Sequence, residues 1–262
     1  MTWTRAVGTG AAAGSEPAVR SPRVAEGGRV AEGSRVGRAG REGRVAGRKP
    51  ARVVPSPRAT PFTVCYALVL VATGLFSRLA DPDLVRDLLA HSSTDVANLA
   101  HRPLLSLAAS AVWVAGGLLS PYIVAFLAVV GALERKLGGL RTAGIFLLGH
   151  VLATLMTELP VAASVAVGQL PDSSLRRLDY GISYGLLACA GALAGLVRPW
   201  LRWTLLGGIT AALLADLAEF TDPLTDWGHL LALAIGVLAW AYVRRAAQRR
   251  EPGPSGRAPR SA

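Results

Sequence analysis

Charged and apolar residues are almost completely segregated along this chain of 262 residues, and this segregation constrains the fold most strongly. Long stretches between residues 62 and 243 carry no charge, whereas Lys and Arg concentrate at both ends. Only 17% of the residues are charged, compared with about a quarter in soluble domains of average composition. Apolar runs that alternate with charged loops are typical of chains that cross a bilayer repeatedly. The pattern predicts an all-α integral membrane protein with solvated tails.

Each apolar segment is close to the length that a helix needs to cross about 30 Å of hydrocarbon. The second is the longest, and Gly, Ser and Pro interrupt it at residues 116–121. We therefore predict a loop in or near the outer leaflet from Pro103 to about Gly117, with span two beginning near Leu118. The six segments are Phe62–Phe76, Pro103–Leu133, Ala143–Val167, Tyr180–Val197, Trp203–Leu217 and Trp227–Val243.

The charges of the connecting loops favour six spans with both ends in the cytoplasm, in a multi-pass protein of the plasma membrane. In that arrangement basic residues lie in the cytoplasmic loops and acidic residues outside, as the positive-inside rule requires. Arg176 and Arg177 are exceptions. Seven spans would export Arg135, Lys136 and Arg198. The cytoplasmic charges are Arg135, Lys136, Arg141, Arg198 and Arg202, and the outside ones Asp81, Asp83, Asp87, Asp95, Asp172, Glu219, Asp222 and Asp226.

The two tails carry most of the net charge of +11. Residues 1–60 contain twelve Lys or Arg and four Glu, and residues 244–262 contain six Arg and one Glu. The first tail has too little apolar surface to fold, so we predict that it is disordered and that residues 61–243 form the membrane domain. Basic residues confined to tails without interleaved aromatics argue against nucleic-acid binding. The expected partner is the lipid bilayer.

Two further features concern the outside loop and the cysteines. The longest outside loop, residues 81–102, has apolar residues at spacings typical of short amphipathic helices on a membrane surface.

Cys65 and Cys189 both lie in apolar stretches. Two isolated cysteines indicate neither a disulfide framework nor a metal site, and we predict that both are small buried side chains.

Two spans open with polar residues, which are costly in a membrane and therefore indicate function. Span four opens with DYGISYG at 179–185, and span six with TDWGHLLALAIG at 225–236. Ser183 lies about 6 Å along its helix from Asp179, and His229 about 4.5 Å along its helix from Asp226. The two side chains are therefore expected at similar depth. A serine hydroxyl needs a base within hydrogen-bond reach to act as a nucleophile, and histidine is the usual base.

Small residues flank this serine and this histidine and would let the two helices approach closely. The alternative is that the serine only caps or packs its helix and that the histidine is structural. The small residues that flank Ser183 and His229 are Gly181, Gly185, Ala232 and Gly236.

We predict that His150, near the middle of span three, makes a helix–helix hydrogen bond, and that Glu158 reaches interfacial water.

At these residues the chain resembles the rhomboid family of intramembrane serine proteases, over about residues 62–243. The resemblance is carried by RPLLSLAASAVW at 102–113, ERKLG at 134–138, Gly-Ile-Ser at 181–183 and H-x-x-A-x-x-x-G at 229–236. It implies a bundle of six transmembrane helices in which Ser183 is the nucleophile and His229 the base. It further implies that no cofactor is needed and that the substrate is a single-pass membrane protein, cleaved near the outer end of its helix.

The chain departs from the family pattern at three positions. The family's oxyanion-binding His and Asn on span two correspond to Leu118 and Tyr122, of which Tyr122 offers a hydroxyl as donor. Tyr184 follows the serine, where the family commonly has Gly. The alternative function is therefore a rhomboid-like protein that binds membrane clients without cleaving them. A transporter is disfavoured because residues 62–243 show no internal repeat.

Overall fold

The structure is a computed structural model that describes residues 55–250. The predictions for residues 1–54 and for the tail beyond residue 250 lie outside this range. Helices and short turns make up the described chain, and no strand occurs within it. The helices are α1 (Pro61–Leu79), α2 (Pro82–Ser92), α3 (Val96–His101), α4 (Pro103–Ser110), α5 (Pro121–Leu137), α6 (Gly139–Ala166), α7 (Ser183–Ala194), α8 (Pro199–Glu219), α9 (Pro223–Leu238) and α10 (Trp240–Gln248).

Proline and a capping side chain define where several helices begin. Proline suits the first turn of a helix because its missing N–H would have no partner there. Asp81 Oδ1 caps α2 by accepting from the backbone N–H of Asp83 at 2.9 Å. Ser120 Oγ accepts from the N–H of Tyr122 at 3.4 Å and caps α5 in the same way. Two glycines with positive φ, Gly116 at 81° and Gly117 at 68°, separate α5 from the preceding segment. The predicted interruption of the second apolar region is thus confirmed.

Several helices are suited to crossing a membrane. In the described chain, α1, α6 and α8 are long and apolar enough, and α9 with α10, which meet at a 45° bend, would form a fourth span. The protein is therefore an all-helical, multi-pass membrane protein. Helices α5, with 17 residues, and α7, with 12, are shorter. Six spans consequently remain a prediction.

Helix α7 lies at the centre of the bundle, in contact with α5, α6, α8 and α9. Two arginines bind the carbonyl groups at the C-terminal end of α7. Arg202 Nε donates to the carbonyl of Ala194 at 2.9 Å, and Arg244 Nε to that of Gly195 at 3.1 Å. Both guanidinium groups also lie about 5 Å from the ring centre of Trp240. Cations at this position complement the helix dipole.

Glu134 brings the beginning of α1 to the end of α5. Its carboxylate accepts hydrogen bonds from the backbone N–H groups of Phe62 and Thr63, both at 2.8 Å, and from the Thr63 hydroxyl at 2.7 Å. The Arg250 guanidinium, just beyond α10, lies over Gly138. Both ends of the described chain therefore lie at the same end of the bundle. We call it the basic end, after Arg135, Lys136, Arg244 and Arg250.

Segment 81–102 forms the helices α2 and α3, which confirms its predicted helical character. Trp113 Nε1 donates to Ser92 Oγ at 2.9 Å and ties the end of α2 to the chain after α4.

The prediction for the cysteines holds only in part. Cys189 is buried in the core, whereas Cys65 is exposed on α1, so its predicted burial is wrong.

Candidate active site

Ser183 is the first residue of α7 and is half-buried, at the end of the bundle opposite the basic end. The chain enters the helix through Gly181, whose φ of 130° is a conformation that favours glycine. The Gly181 N–H donates to the carbonyl of Ser110 at 3.0 Å. This hydrogen bond fixes the approach to α7, and so the position at which the Ser183 hydroxyl is presented.

His229 lies near the beginning of α9 with only 6% of its surface exposed. Neither ring nitrogen has a hydrogen-bond partner among the described residues. Nδ1 lies 4.0 Å from Oδ1 of Asp226, too far for a hydrogen bond. The hydrogen bond between Ser183 and His229 that a preformed dyad would have is therefore not formed.

Tyr184, the residue after Ser183, contacts this imidazole directly. The two rings meet edge to face, with centroids 5.5 Å apart and an interplanar angle of 73°. The Tyr184 ring also lies against Gly228, where a Cβ atom would approach Tyr184 Cζ to 2.6 Å. Tyr184 thus fills the space between the beginning of α7 and the beginning of α9. Sequence reasoning noted this residue only as a departure from the family pattern.

Helices α7 and α9 pack with almost no space between their backbones. A Cβ at Gly236 would overlap the carbonyl of Ala188, and one at Gly191 would overlap that of Leu233. Ala232 is fully buried in the same region. Of the small residues singled out in the sequence, Ala232 and Gly236 therefore lie close to α7.

The other two small residues lie elsewhere. Gly185 faces α6, where a Cβ would approach the ring of Phe146 to 2.6 Å. Gly181 precedes α7. The close approach of α7 and α9 thus depends on Gly191, which the sequence pattern did not single out, as well as on Gly236.

His150 makes the structural contact that was predicted for it. Its Nε2 lies 3.2 Å from Ser110 Oγ and 3.1 Å from the carbonyl of Leu107, and its side chain is buried. His150 therefore ties α6 to α4. Since the carbonyl of Ser110 accepts from Gly181, the same serine also connects α6 to the beginning of α7.

Arg177 lies at the centre of a group of ion pairs beside this site. It contacts Glu158 at 2.7 Å, Asp222 at 3.3 Å and Asp179 at 3.9 Å, and donates to the Thr225 hydroxyl at 3.0 Å. Glu158 is only 2% exposed, so the prediction that it reaches interfacial water is wrong: burial on α6 is compensated by Arg177. No local sequence pattern signals this contact, because the two side chains lie 19 residues apart and on separate elements.

Burial and neighbouring charges together shift the pKa values of the two loop residues in this group, Arg177 and Asp179. Burial opposes the charge on Arg177, but Asp179 and Glu158 outweigh it and raise the pKa of the guanidinium above its ordinary value. Burial raises the pKa of Asp179, and Arg177 and the Thr94 hydroxyl oppose this change. The arginine is therefore a permanent cation that joins α6, the chain before α7 and the beginning of α9.

The two positions expected to support an oxyanion lie in different surroundings. The Leu118 side chain packs on α1, within 2.8 Å of where a Cβ at Gly74 would lie. Tyr122 lines an apolar cavity of about 230 Å³ between α5, α7 and α8, together with residues that include Leu186 and Ile209. Within residues 55–250, no group of three or more His, Cys, Asp or Glu side chains is arranged to hold a metal ion.

The fold and this site define a helical, multi-pass membrane protein with a serine and a buried histidine at the facing ends of two closely packed helices. A family model described as rhomboid-like protein matches residues 56–249. The chain belongs to the rhomboid-like family. Searches of the curated proteins and of the solved structures gave no significant match.

Proposed function

We propose that the protein is an intramembrane serine protease in which Ser183 is the nucleophile and His229 the general base. The observation that carries this proposal is the position of the His229 imidazole, which is buried near the beginning of α9 and held against the residue that follows Ser183. Such an arrangement keeps a base available for a proton from a neighbouring hydroxyl. Catalytic hydrogen bonds are often long before the substrate binds and shorten in the complex.

In the proposed reaction, Ser183 Oγ attacks the carbonyl carbon of a peptide bond while His229 accepts the hydroxyl proton. The tetrahedral intermediate collapses, the C–N bond breaks, and His229 passes the proton to the leaving amine. Water, deprotonated by His229, then attacks the acyl-enzyme, the ester C–O bond breaks, and His229 returns the proton to Ser183 Oγ as the carboxyl product leaves. The first N–H groups of a helix have no intrahelical partner, so the beginning of α7 offers oxyanion donors that do not depend on residues 118 and 122.

The proposed substrate is a single-pass membrane protein whose helix enters beside α7. The apolar cavity lined by Tyr122 and Ile209 lies between α5 and α8 and next to α7, and supports lateral entry from lipid. The basic end is then cytoplasmic, by the positive-inside rule, which places both termini in the cytoplasm and Ser183 toward the outer face of the plasma membrane.

A second candidate is a rhomboid-like protein that binds membrane clients without cleaving them. The missing hydrogen bond between Ser183 and His229 favours it, since an activated serine needs its base within reach. The absence of the family's His and Asn at positions 118 and 122 points the same way.

Labelling with a serine-directed fluorophosphonate decides between the two. The purified protein would be compared with Ser183→Ala and His229→Ala, and the labelled residue mapped by peptide mass spectrometry. Ser77→Ala is the matched control, because Ser77 lies on α1 and its hydroxyl donates within that helix, to the carbonyl of Thr73. Label on Ser183 that is lost in both dyad variants and kept in Ser77→Ala supports the protease. A folded parent that takes no label supports the client-binding protein.

A further inference from the structure

A cavity of about 550 Å³ opens at the basic end, where α5, the chain after α7 and α10 meet. Its charged lining consists of Arg135, Lys136, Arg244 and Arg250, and no Asp or Glu belongs to the described lining. Lys136, Arg244 and Arg250 bring three positive charges to this one cavity, and all three would attract a bound anion.

The surroundings of these cations leave their positive charge available. Arg244 uses its Nε on the Gly195 carbonyl and its guanidinium face on Trp240, neither of which removes the charge. Glu134, two residues before Lys136, is buried and directed toward α1, where it accepts three hydrogen bonds. It is therefore already engaged at the beginning of another helix.

We propose that this cavity binds the phosphate group of an anionic phospholipid. Guanidinium groups present paired N–H donors that match phosphate oxygens, and lysine adds a point charge. Basic pockets between helices at the cytoplasmic face are suited to lipid headgroups. Helix α10 turns by 45° from α9 and carries the exposed Tyr242, an aromatic residue typical of the headgroup level. The cavity thus lies where a headgroup, rather than only a soluble phosphate, would meet it.

Native mass spectrometry of the purified full-length protein would test this site with phosphatidylglycerol, and with phosphatidylcholine as the neutral lipid. We expect phosphatidylglycerol to stay bound under conditions that remove phosphatidylcholine. The double variant Lys136→Gln/Arg250→Gln should weaken phosphatidylglycerol binding about 30-fold, which corresponds to about 2 kcal/mol, the contribution of two surface cations. The control is Arg245→Gln/Arg249→Gln, which removes the same charge from exposed positions outside the cavity.

Unfolding temperatures of the same variants in phosphatidylcholine would verify folding, and the single variant Lys136→Gln, at an exposed side chain, replaces the double variant if that unfolds. Inorganic phosphate is the second ligand tested. Stabilisation by phosphate alone, lost in the double variant, assigns the same anion site to a soluble ligand. Equal binding of the two lipids with no effect of phosphate overturns the proposal. An equal loss in the control also overturns it, because the attraction would then come from general surface charge.

Discussion

The ring of Tyr184 meets the imidazole of His229 edge to face at 5.5 Å, so the residue that follows the candidate nucleophile contacts the candidate base. The contact joins α7 to α9 at the end where Ser183 lies. A ring in this position restricts the orientations of the imidazole, whose nitrogens have no partner of their own among the described residues. Tyr184 is thus a positioning residue in the proposed dyad.

Replacing Tyr184 tests this role. Tyr184→Phe keeps the ring and should keep fluorophosphonate labelling of Ser183 near the parent rate. Tyr184→Ala removes a buried ring and should slow labelling by about 100-fold, the effect typical of a misplaced catalytic group. It should also lower the free energy of unfolding by about 3 kcal/mol. Labelling rates and thermal unfolding of the two variants check this, and equal labelling by both would show that the ring does not position His229.

Gly236→Ala should destabilise the protein and reduce labelling, because the added methyl group would overlap the carbonyl of Ala188 and force α7 away from α9. Overpacking of this kind costs about 1–3 kcal/mol. Gly207→Ala is the matched control, since a Cβ at Gly207 on α8 meets nothing within 4 Å. The control should be neutral or slightly stabilising, as Ala is the better helix former. Unfolding in detergent compares the two, and equal stability would contradict the close packing.

Arg177→Gln should lower the free energy of unfolding by about 3 kcal/mol, because it leaves the buried carboxylate of Glu158 without its cation. The neighbouring Arg176 is exposed, and Arg176→Gln should change stability by no more than about 0.5 kcal/mol. Adding Glu158→Gln to Arg177→Gln should recover part of the loss. Chemical unfolding of the four proteins measures these effects. A double variant no more stable than Arg177→Gln would show that the ion pair is not the cause.

Glu134→Ala should destabilise the protein by about 3 kcal/mol, because it removes the acceptor for the first N–H groups of α1. Thr63→Val removes only the hydroxyl donor to the same carboxylate and should cost about 1.5 kcal/mol. The two changes should not add, since both affect one group of hydrogen bonds. Thermal unfolding of the single and double variants tests this, and full additivity would contradict a shared contact.

Much of the fold was predictable because apolar length and proline positions are local properties of the sequence. The interruption at Gly116 and Gly117 and the helices of segment 81–102 follow from such patterns. The role of Glu134 did not, since it accepts from the N–H of Thr63, 71 residues earlier in the chain. The pairing of Arg177 with Glu158 and the contact of Tyr184 with His229 likewise depend on side chains from separate helices. Local periodicity carries no information on such contacts.

The shortness of α7 has a consequence for where the proposed protease would cut its substrate. Twelve residues extend about 18 Å, well below the roughly 30 Å of hydrocarbon that lipids form around the bundle. Both ends of α7 can lie at that depth only because α5, α6, α8 and α9 shield them from lipid. The apolar layer at the centre of the bundle is thus thinner than the hydrocarbon core of the surrounding bilayer. A peptide bond that reaches Ser183 would enter a polar environment at a depth where the surrounding lipid is hydrocarbon. The thickness of the bilayer would therefore decide which peptide bond of the substrate lies at Ser183.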